Sequence, residues 1–239
     1  MAMVMALSAE NASVRLQAAL AIGSDPRPAV LEALVERCAV EPDFFVRDML
    51  SWALTRFAAE STLPLLRREL HSEHPQARSQ ALHTLSKIGD SSAWDRTAHR
   101  LLHDAHDEVA RTAWRVAVAL VPEDGKEDLA DALVTQLGRG DSTVRRSLSR
   151  ALVGLGDAAG PALRRAAAHS DPEVALHARA TAMLRNHPEA GFDAAVEEAK
   201  RILALGPEGS AAAATAAAGA ARPIGPAEPA GTPGESAPC

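Results

Sequence analysis

The chain has 239 residues, a formal net charge of −6, 47% apolar residues and only 3% aromatic residues. The negative charge argues against bulk attraction to nucleic acid or acidic lipid, and no run of about 18 apolar residues exists to span a membrane. Two cysteines, Cys38 and Cys239, are too few for a disulfide framework, so we expect a cytoplasmic protein.

Six helix-sized segments open on the same pattern, in which a polar residue is followed four positions later by arginine or alanine. The openings are Asn11 to Arg15, Asp43 to Arg47, His74 to Arg78, His106 to Ala110, Asp141 to Arg145 and Asp171 to Ala175. Their first residues lie 32, 31, 32, 35 and 30 residues apart. A fixed period of this size predicts a stacked repeat array of six units over residues 1–206.

Each unit divides into a first helix, a turn and a second helix. The first helices carry apolar residues on more than one face, as a helix between two neighbours requires. In unit two, one predicted stripe is Val46, Leu50, Ala53 and Phe57, and the other is Phe45, Met49 and Trp52. The second helices have narrower stripes, and we expect them to start near Pro28, Leu63-Pro64, Trp94, Lys126, Pro161 and Phe192.

Three glycines follow the apolar pattern of their first helices. We predict that Gly23, Gly89 and Gly156 are left-handed residues that end these helices, with the first helix of unit one about a turn short. Residues 207–239 differ in composition, with twelve alanines, six prolines and five glycines. Such a segment buries too little apolar surface to fold, so we predict a disordered tail.

The Val-Arg starts, the alanine-rich first helices and the closing Ile88-Gly89-Asp90 of unit three resemble HEAT repeats. The period of roughly 31 residues resembles the short bacterial HEAT-like repeats of the phycobilisome-lyase type. This resemblance implies an all-α fold, a right-handed solenoid of about six helix pairs whose second helices line a concave surface. Units four and six depart from the pattern, with Ala110 and Ala175 in place of arginine.

The recurring pair of Asp or Asn with arginine four residues later is predicted to be structural. The polar residue caps the helix, and the arginine bridges to a neighbouring unit. A metal site is conceivable at Asp95, His99 and His103, which share a helical stripe. However, histidines recur at the ends of second helices, where the helix dipole favours them, so we expect no metal and no cofactor.

No nucleophile elbow, phosphate-binding loop or CxxC pair is present, and Cys38 lies in an apolar stripe. We therefore predict a non-enzymatic scaffold that binds a protein or a peptide segment on its second helices. The candidate contact residues are Arg67, Arg68, Arg96, His99, Arg100, Arg164 and Arg165.

Two alternatives remain open. HEAT-like alkylpurine DNA glycosylases combine a basic groove with tryptophans, and this chain has Trp52, Trp94 and Trp114. Acidic residues of unit four, including Glu127 and Asp131, would repel a phosphate backbone in such a groove, and tryptophans at helical spacing are more often core. The other alternative is a lyase-like chaperone of a chromophore protein, which rests on the repeat resemblance alone.

Overall fold

The computed structural model describes residues 2–89 and 99–204, and its regular structure there is helical. The α-helices are α1 (Ala2–Ala6), α2 (Ala12–Ser24), α3 (Leu31–Val40), α4 (Phe44–Leu54), α5 (Ala59–Glu69), α6 (Pro75–Ile88), α7 (Asp107–Leu120), α8 (Lys126–Val134), α9 (Ser142–Gly154), α10 (Ala159–Ala166), α11 (Pro172–Asn186) and α12 (192–204). Short 3-10 turns lie at Pro28–Val30, Leu101–His103, Glu123–Gly125 and Gly156–Ala158. Across the described residues, no helix is long and apolar enough to cross a membrane.

The first helices stack in chain order. Helix α2 packs on α4, α4 on α6, α6 on α7, α7 on α9, and α9 on α11. The second helices pack beneath them, with α3 against α4 and α6, α5 against α6, and α10 against α8 and α11. Each unit therefore buries its apolar residues against its neighbours, and the predicted all-α solenoid is confirmed.

The predicted caps at Asn11, Asp43, Asp141 and Asp171 are confirmed, because each side chain accepts a backbone N–H from the first turn of its helix. The two openings that begin with histidine lack such a side-chain bond. Instead, Ser72 Oγ accepts the His74 backbone N–H, and Asp104 Oδ1 accepts the His106 backbone N–H.

Gly89 and Gly156 have positive φ values of 75° and 61°, which confirms the left-handed conformation predicted for them. The same prediction is wrong for Gly23, which lies inside α2. A Cβ at this position would lie 2.3 Å from Cζ3 of Trp52, so the glycine makes room for the indole ring. Helix α2 is consequently not a turn short, and its 13 residues equal the length of α9.

The starts of the second helices agree with the sequence at Lys126 and at residue 192. Helix α5 instead begins at Ala59, with Pro64 inside it, so the predicted start there is wrong. The proline removes only one backbone hydrogen bond in the middle of a helix that packing holds in place.

In unit two the first stripe is confirmed at Val46, Leu50 and Ala53, which are buried. The second stripe is wrong at Phe45, which is 72% exposed and has an edge-to-face contact with the exposed ring of Phe44. Phe45 lies in the first turn of α4, which the packed elements leave uncovered on this side. The expectations for Trp94, Asp95, Arg96 and the tail fall outside the described residues.

Candidate functional site

Arg15 shows what the recurring arginine does. Its Nε and Nη2 donate to the carboxylate of Glu41 at 2.8 and 2.7 Å, and its Nη1 donates to the carbonyls of Ala9 and Glu10. The arginine thus joins the loop before its own helix to the loop before the next first helix. We call this arrangement an arginine clamp: an arginine four residues after one cap, bound to an acid two residues before the next cap.

Unit three repeats the arginine clamp. Arg78 donates from Nε and Nη2 to Asp104 at 2.8 and 2.9 Å, and from Nη1 to the carbonyls of Ser72 and Glu73. Burial raises the pKa of Asp104, but hydrogen bonds from Arg78 and from the His106 backbone N–H outweigh burial and leave the pKa below its ordinary value.

Glu41 is the most buried acid of these clamps, with 0% of its surface exposed. Burial alone raises the pKa of Glu41, whereas hydrogen bonds from Arg15, the Asp43 backbone N–H and Arg37 lower it to about 2. The carboxylate is therefore ionised and fully bonded at neutral pH. The prediction that these arginines bridge neighbouring units is confirmed for Arg15 and for Arg145, which is bound to Glu173 of unit six. Arg47 instead donates to the carbonyls of Glu41 and Pro42, in the loop before its own helix.

Unit four has Ala110 where the clamp arginine is expected, and Arg139 takes over its role. Arg139 comes from the loop before the next first helix, which is where the clamps of units one and three have their acid. Its Nη2 donates to the Asp104 carbonyl at 2.6 Å, and its Nε donates to Asp107 at 2.8 Å. The same two loops are thus joined, but the arginine comes from the loop before the next first helix and not from the first helix of unit four.

Buried hydroxyl groups also join neighbouring first helices. Thr84 donates to Ser51 at 3.3 Å, and Ser79 is hydrogen bonded to Thr112 at 2.9 Å. Ser149 is hydrogen bonded to Thr181 at 2.7 Å in the junction of units five and six. The two residues of each pair lie about one repeat period apart in the sequence. The pairs therefore fix how each first helix lies on the next.

His177 in α11 completes the junction between units five and six. Its Nδ1 accepts the Gly138 backbone N–H at 3.1 Å, and its Nε2 lies 3.1 Å from the Arg145 carbonyl and 3.0 Å from Ser149 Oγ. Nε2 therefore carries the proton of a neutral imidazole. Burial lowers the pKa of His177 to about 4, although the hydrogen bond to the Arg145 carbonyl opposes this effect. The sequence offered no signal for this role beyond a lone histidine in an apolar helix.

Four of the arginines predicted to contact a partner, Arg67, Arg68, Arg164 and Arg165, lie on the second helices α5 and α10, and an acidic residue of the preceding unit is bound to two of them. Arg68 of α5 is bound to Glu32 of α3 at 2.9 Å. Arg165 of α10 is bound in the same way to Asp131 of α8. The acids of unit four, expected to interrupt a basic track, therefore include a counterion for unit five.

The other predicted contact residues differ in exposure. His99, Arg100 and Arg164 are exposed, and Arg67 is half-buried. Arg164 has no ion pair or hydrogen bond with any residue in the described ranges, whereas Arg67 and His99 both have interactions. Arg96 falls outside those ranges. The second helices thus carry paired and unpaired exposed charges, and we give the name second-helix face to the surface of Glu32, Arg68, Arg100, Asp131, Arg164 and Arg165.

Among the residues considered for metal binding and catalysis, His103, Cys38 and Trp114 lie in the described ranges, and Asp95 does not. Gln136 Nε2 lies 2.7 Å from His103 Nδ1, and residues 2–89 and 99–204 contain no group of acids, histidines and cysteines suited to a metal. Burial raises the pKa of the Cys38 thiol to about 12, so the thiol is protonated at neutral pH. Trp114 is fully buried, as predicted, and donates to the Leu102 carbonyl at 2.9 Å.

Part of the chain matches the model of a known repeat family. The family model for HEAT repeats matches residues 42–119. Similar solved structures include an engineered protein, with 18% identity, a TM-score of 0.43, and coverage of 78% of this chain and 98% of the other. Another is the complex of CpcE and CpcF of phycocyanin lyase from Nostoc sp. PCC7120, with 19% identity, a TM-score of 0.43, and coverage of 75% and 74%. No curated protein matches the chain.

The molecule is an all-α solenoid in which polar groups within the stack hold neighbouring units together. Residues 42–119 of it, about a third of the chain, match the family model for HEAT repeats.

Proposed function

We propose that this chain is a non-enzymatic scaffold that binds a protein, or a peptide segment of one, along the second-helix face. The observation that carries the proposal is the different use of charge in two parts of the fold. The clamp residues Arg15, Glu41 and Arg78 are largely buried and serve the stack. On the second-helix face, by contrast, the pairs Glu32–Arg68 and Asp131–Arg165 are more than half exposed.

Exposed pairs of this kind contribute little to folding, at about 0–1 kcal/mol each. Their value is in recognition, because opposite charges at fixed spacing give a partner a register and speed its association. The partners in each pair lie 36 and 34 residues apart, which is about one repeat, and Arg100 and Arg164 are exposed cations of units three and five. A segment that carries both signs of charge would therefore match this face better than a uniform polyanion.

Affinity capture from a native lysate tests the proposal, with the full chain as bait and the retained proteins identified by mass spectrometry. We expect one stoichiometric protein that survives moderate salt. The double variant R100E/R164E should lose this protein. The matched variant R27E/R56E changes the charge equally at exposed sites outside the second-helix face and should keep it.

Equal recovery by R100E/R164E and by the wild type would remove the second-helix face from consideration. Recovery dominated by nucleic acid that washes off as salt rises would instead favour a HEAT-like DNA-binding protein.

A further inference from the structure

We propose a second binding surface, on the first helices, for an acidic segment of a partner protein. It is a groove of about 340 Å³ between α7 and α9, which we call the arginine groove. Its lining includes Glu108, Arg111, Arg115 and Val118 from α7, and Ser147 and Arg150 from α9. The surface is separate from the second-helix face and does not depend on the function proposed for it.

The arginines of this groove occupy equivalent positions in two successive units. Arg111 and Arg115 lie four residues apart on α7, and Arg146 and Arg150 repeat this spacing 35 residues later on α9. This interval equals the distance between the openings of units four and five. Because the two helices pack side by side, the repeat places Arg111, Arg115 and Arg150 in the groove and Arg146 in the cavity beside it.

Two of the four arginines, Arg111 and Arg146, already have partners within the chain. Arg111 donates to Ser147 Oγ at 2.9 Å and lies 3.3 Å from Glu108. Arg115 and Arg150 are exposed, and neither has an ion pair or hydrogen bond with any described residue. The groove therefore has two cations without a counterion, and a guanidinium binds a carboxylate through two parallel hydrogen bonds.

The positive charge also acts on a neighbouring helix. Burial lowers the pKa of His83 in α6, and the charges of Lys87 and Arg115 lower it further, in spite of the opposing charge of Asp48. The charge of Arg115 thus acts on the neighbouring first helix α6, where Lys87 is paired with Asp48.

A second cavity continues the groove past Arg150, which lines both. This cavity, of about 530 Å³, lies between α9 and the start of α12, and Val153, Leu184 and Phe192 contribute apolar walls. Arg146 also lines it and is bound to Asp193 at 3.0 Å. The Nε of Arg146 is buried and lacks a hydrogen-bond partner among the described residues.

These features define the chemistry of the occupant. Acidic side chains would bind Arg115 and Arg150, and a neighbouring apolar side chain would enter the second cavity. A nucleic acid fits less well, because Glu108 and Asp193 lie at the edges of the path that its phosphates would follow. The occupant is therefore an acidic segment that also carries an apolar residue, as peptides that bind grooves commonly do.

Fluorescence anisotropy with a labelled peptide of alternating glutamates and leucines, titrated with the full chain, tests this proposal. We expect saturable binding that weakens as salt rises. The variant R115E/R150E should weaken binding about tenfold or more, since two attractive contacts become repulsive. The neutral variant R115Q/R150Q should lie between this variant and the wild type, and thermal unfolding should show that both fold like the wild type.

The matched control is R100E/R164E, which changes the net charge equally on the second-helix face and should bind the peptide like the wild type. If this control loses the peptide while R115E/R150E retains it, the arginine groove is refuted and the second-helix face gains support. Tighter binding of a labelled single-stranded oligonucleotide than of the peptide, in the same assay, would also overturn the proposal. Loss of the captured lysate protein in R100E/R164E does not bear on it.

Discussion

Two junctions between neighbouring units bury polar side chains by different chemistry. Between units one and two, Glu41 is ionised and receives hydrogen bonds from Arg15, Arg37 and a backbone N–H. Between units five and six, His177 is neutral and joins Gly138 to Arg145 through its two ring nitrogens. Units of the same repeat fold are thus joined by a buried ion pair at one end of the array and by a neutral side chain at the other end.

The difference determines how each junction responds to acid. Glu41 has a pKa lowered to about 2, so its stabilising effect is present above its unfolded pKa and is lost as pH falls from about 4.5 towards 2. His177 has a pKa lowered to about 4, so its effect is present above about 6.5 and is lost as pH falls from there towards 4. The junction of units five and six should therefore weaken first.

The largest expected effect comes from removing the ionised acid. The substitution Glu41→Ala leaves Arg15, Arg37 and the Asp43 N–H without their shared acceptor in a buried place. We expect a loss of about 3–5 kcal/mol in the free energy of unfolding, as for other broken buried ion pairs. Urea unfolding followed by circular dichroism measures it.

Glu36, one turn earlier on α3, provides the matched control because it is exposed. The substitution Glu36→Ala should change the free energy of unfolding by no more than about 0.5 kcal/mol. Similar costs for the two substitutions would mean that the arginine clamp does not hold the junction.

The next effect concerns pH. Between about pH 6.5 and pH 4, protonation of His177 in the unfolded state should cost the fold about 3 kcal/mol. Hydrogen exchange measured by mass spectrometry at about pH 7 and about pH 5 should show α9 and α11 losing protection while α2 and α4 retain theirs. This order follows because Glu41 begins to release its stabilising effect only below about pH 4.5.

Because burial also lowers the pKa of His83 and of His103, the contribution of His177 must be isolated. The substitution His177→Asn keeps a donor and an acceptor but does not titrate, so stability should vary less with pH over this range than in the wild type. An unchanged pH dependence in His177→Asn would assign the effect to the other histidines.

The sequence was sufficient to predict the units, the caps and the bridging arginines, because these depend on short spacings that recur. It was misleading at Gly23, because the reason for that glycine is Trp52, 29 residues later, and no local pattern records this contact. It was also misleading at Phe45, where helical periodicity gives the side of the helix but not whether a neighbour covers its first turn.

For the candidate sites, the sequence identified exposed charges on second helices but not their pairing. Glu32 and Arg68 lie 36 residues apart, so their contact depends on how two second helices align. Arg115 and Arg150 were missed because first helices were expected to serve packing. Their signal was present, since each has a second arginine four residues before it, in two successive units.

One feature of the junctions is visible in the sequence once the clamp geometry is known. The position two residues before the next cap is Glu41 after Arg15, and it is Asp104 after Arg78. Where the clamp arginine is replaced by Ala110, this position is Arg139. The charge has moved from one side of the junction to the other, and Arg139 still reaches the Asp104 carbonyl.

The smallest of the three effects tests this exchange. The substitution Arg139→Ala should cost about 1–2 kcal/mol, because it removes charged hydrogen bonds to Asp107 and to the Asp104 carbonyl in a partly buried place. Adding Ala110→Arg places an arginine at the position that Arg78 occupies in unit three, with the Asp104 carbonyl at the matching distance along the chain. The double variant should therefore recover part of the loss in urea unfolding. A double variant less stable than Arg139→Ala alone would show that the packing around Ala110 has no room for an arginine side chain. Arg139 would then be the residue that the junction of units four and five requires.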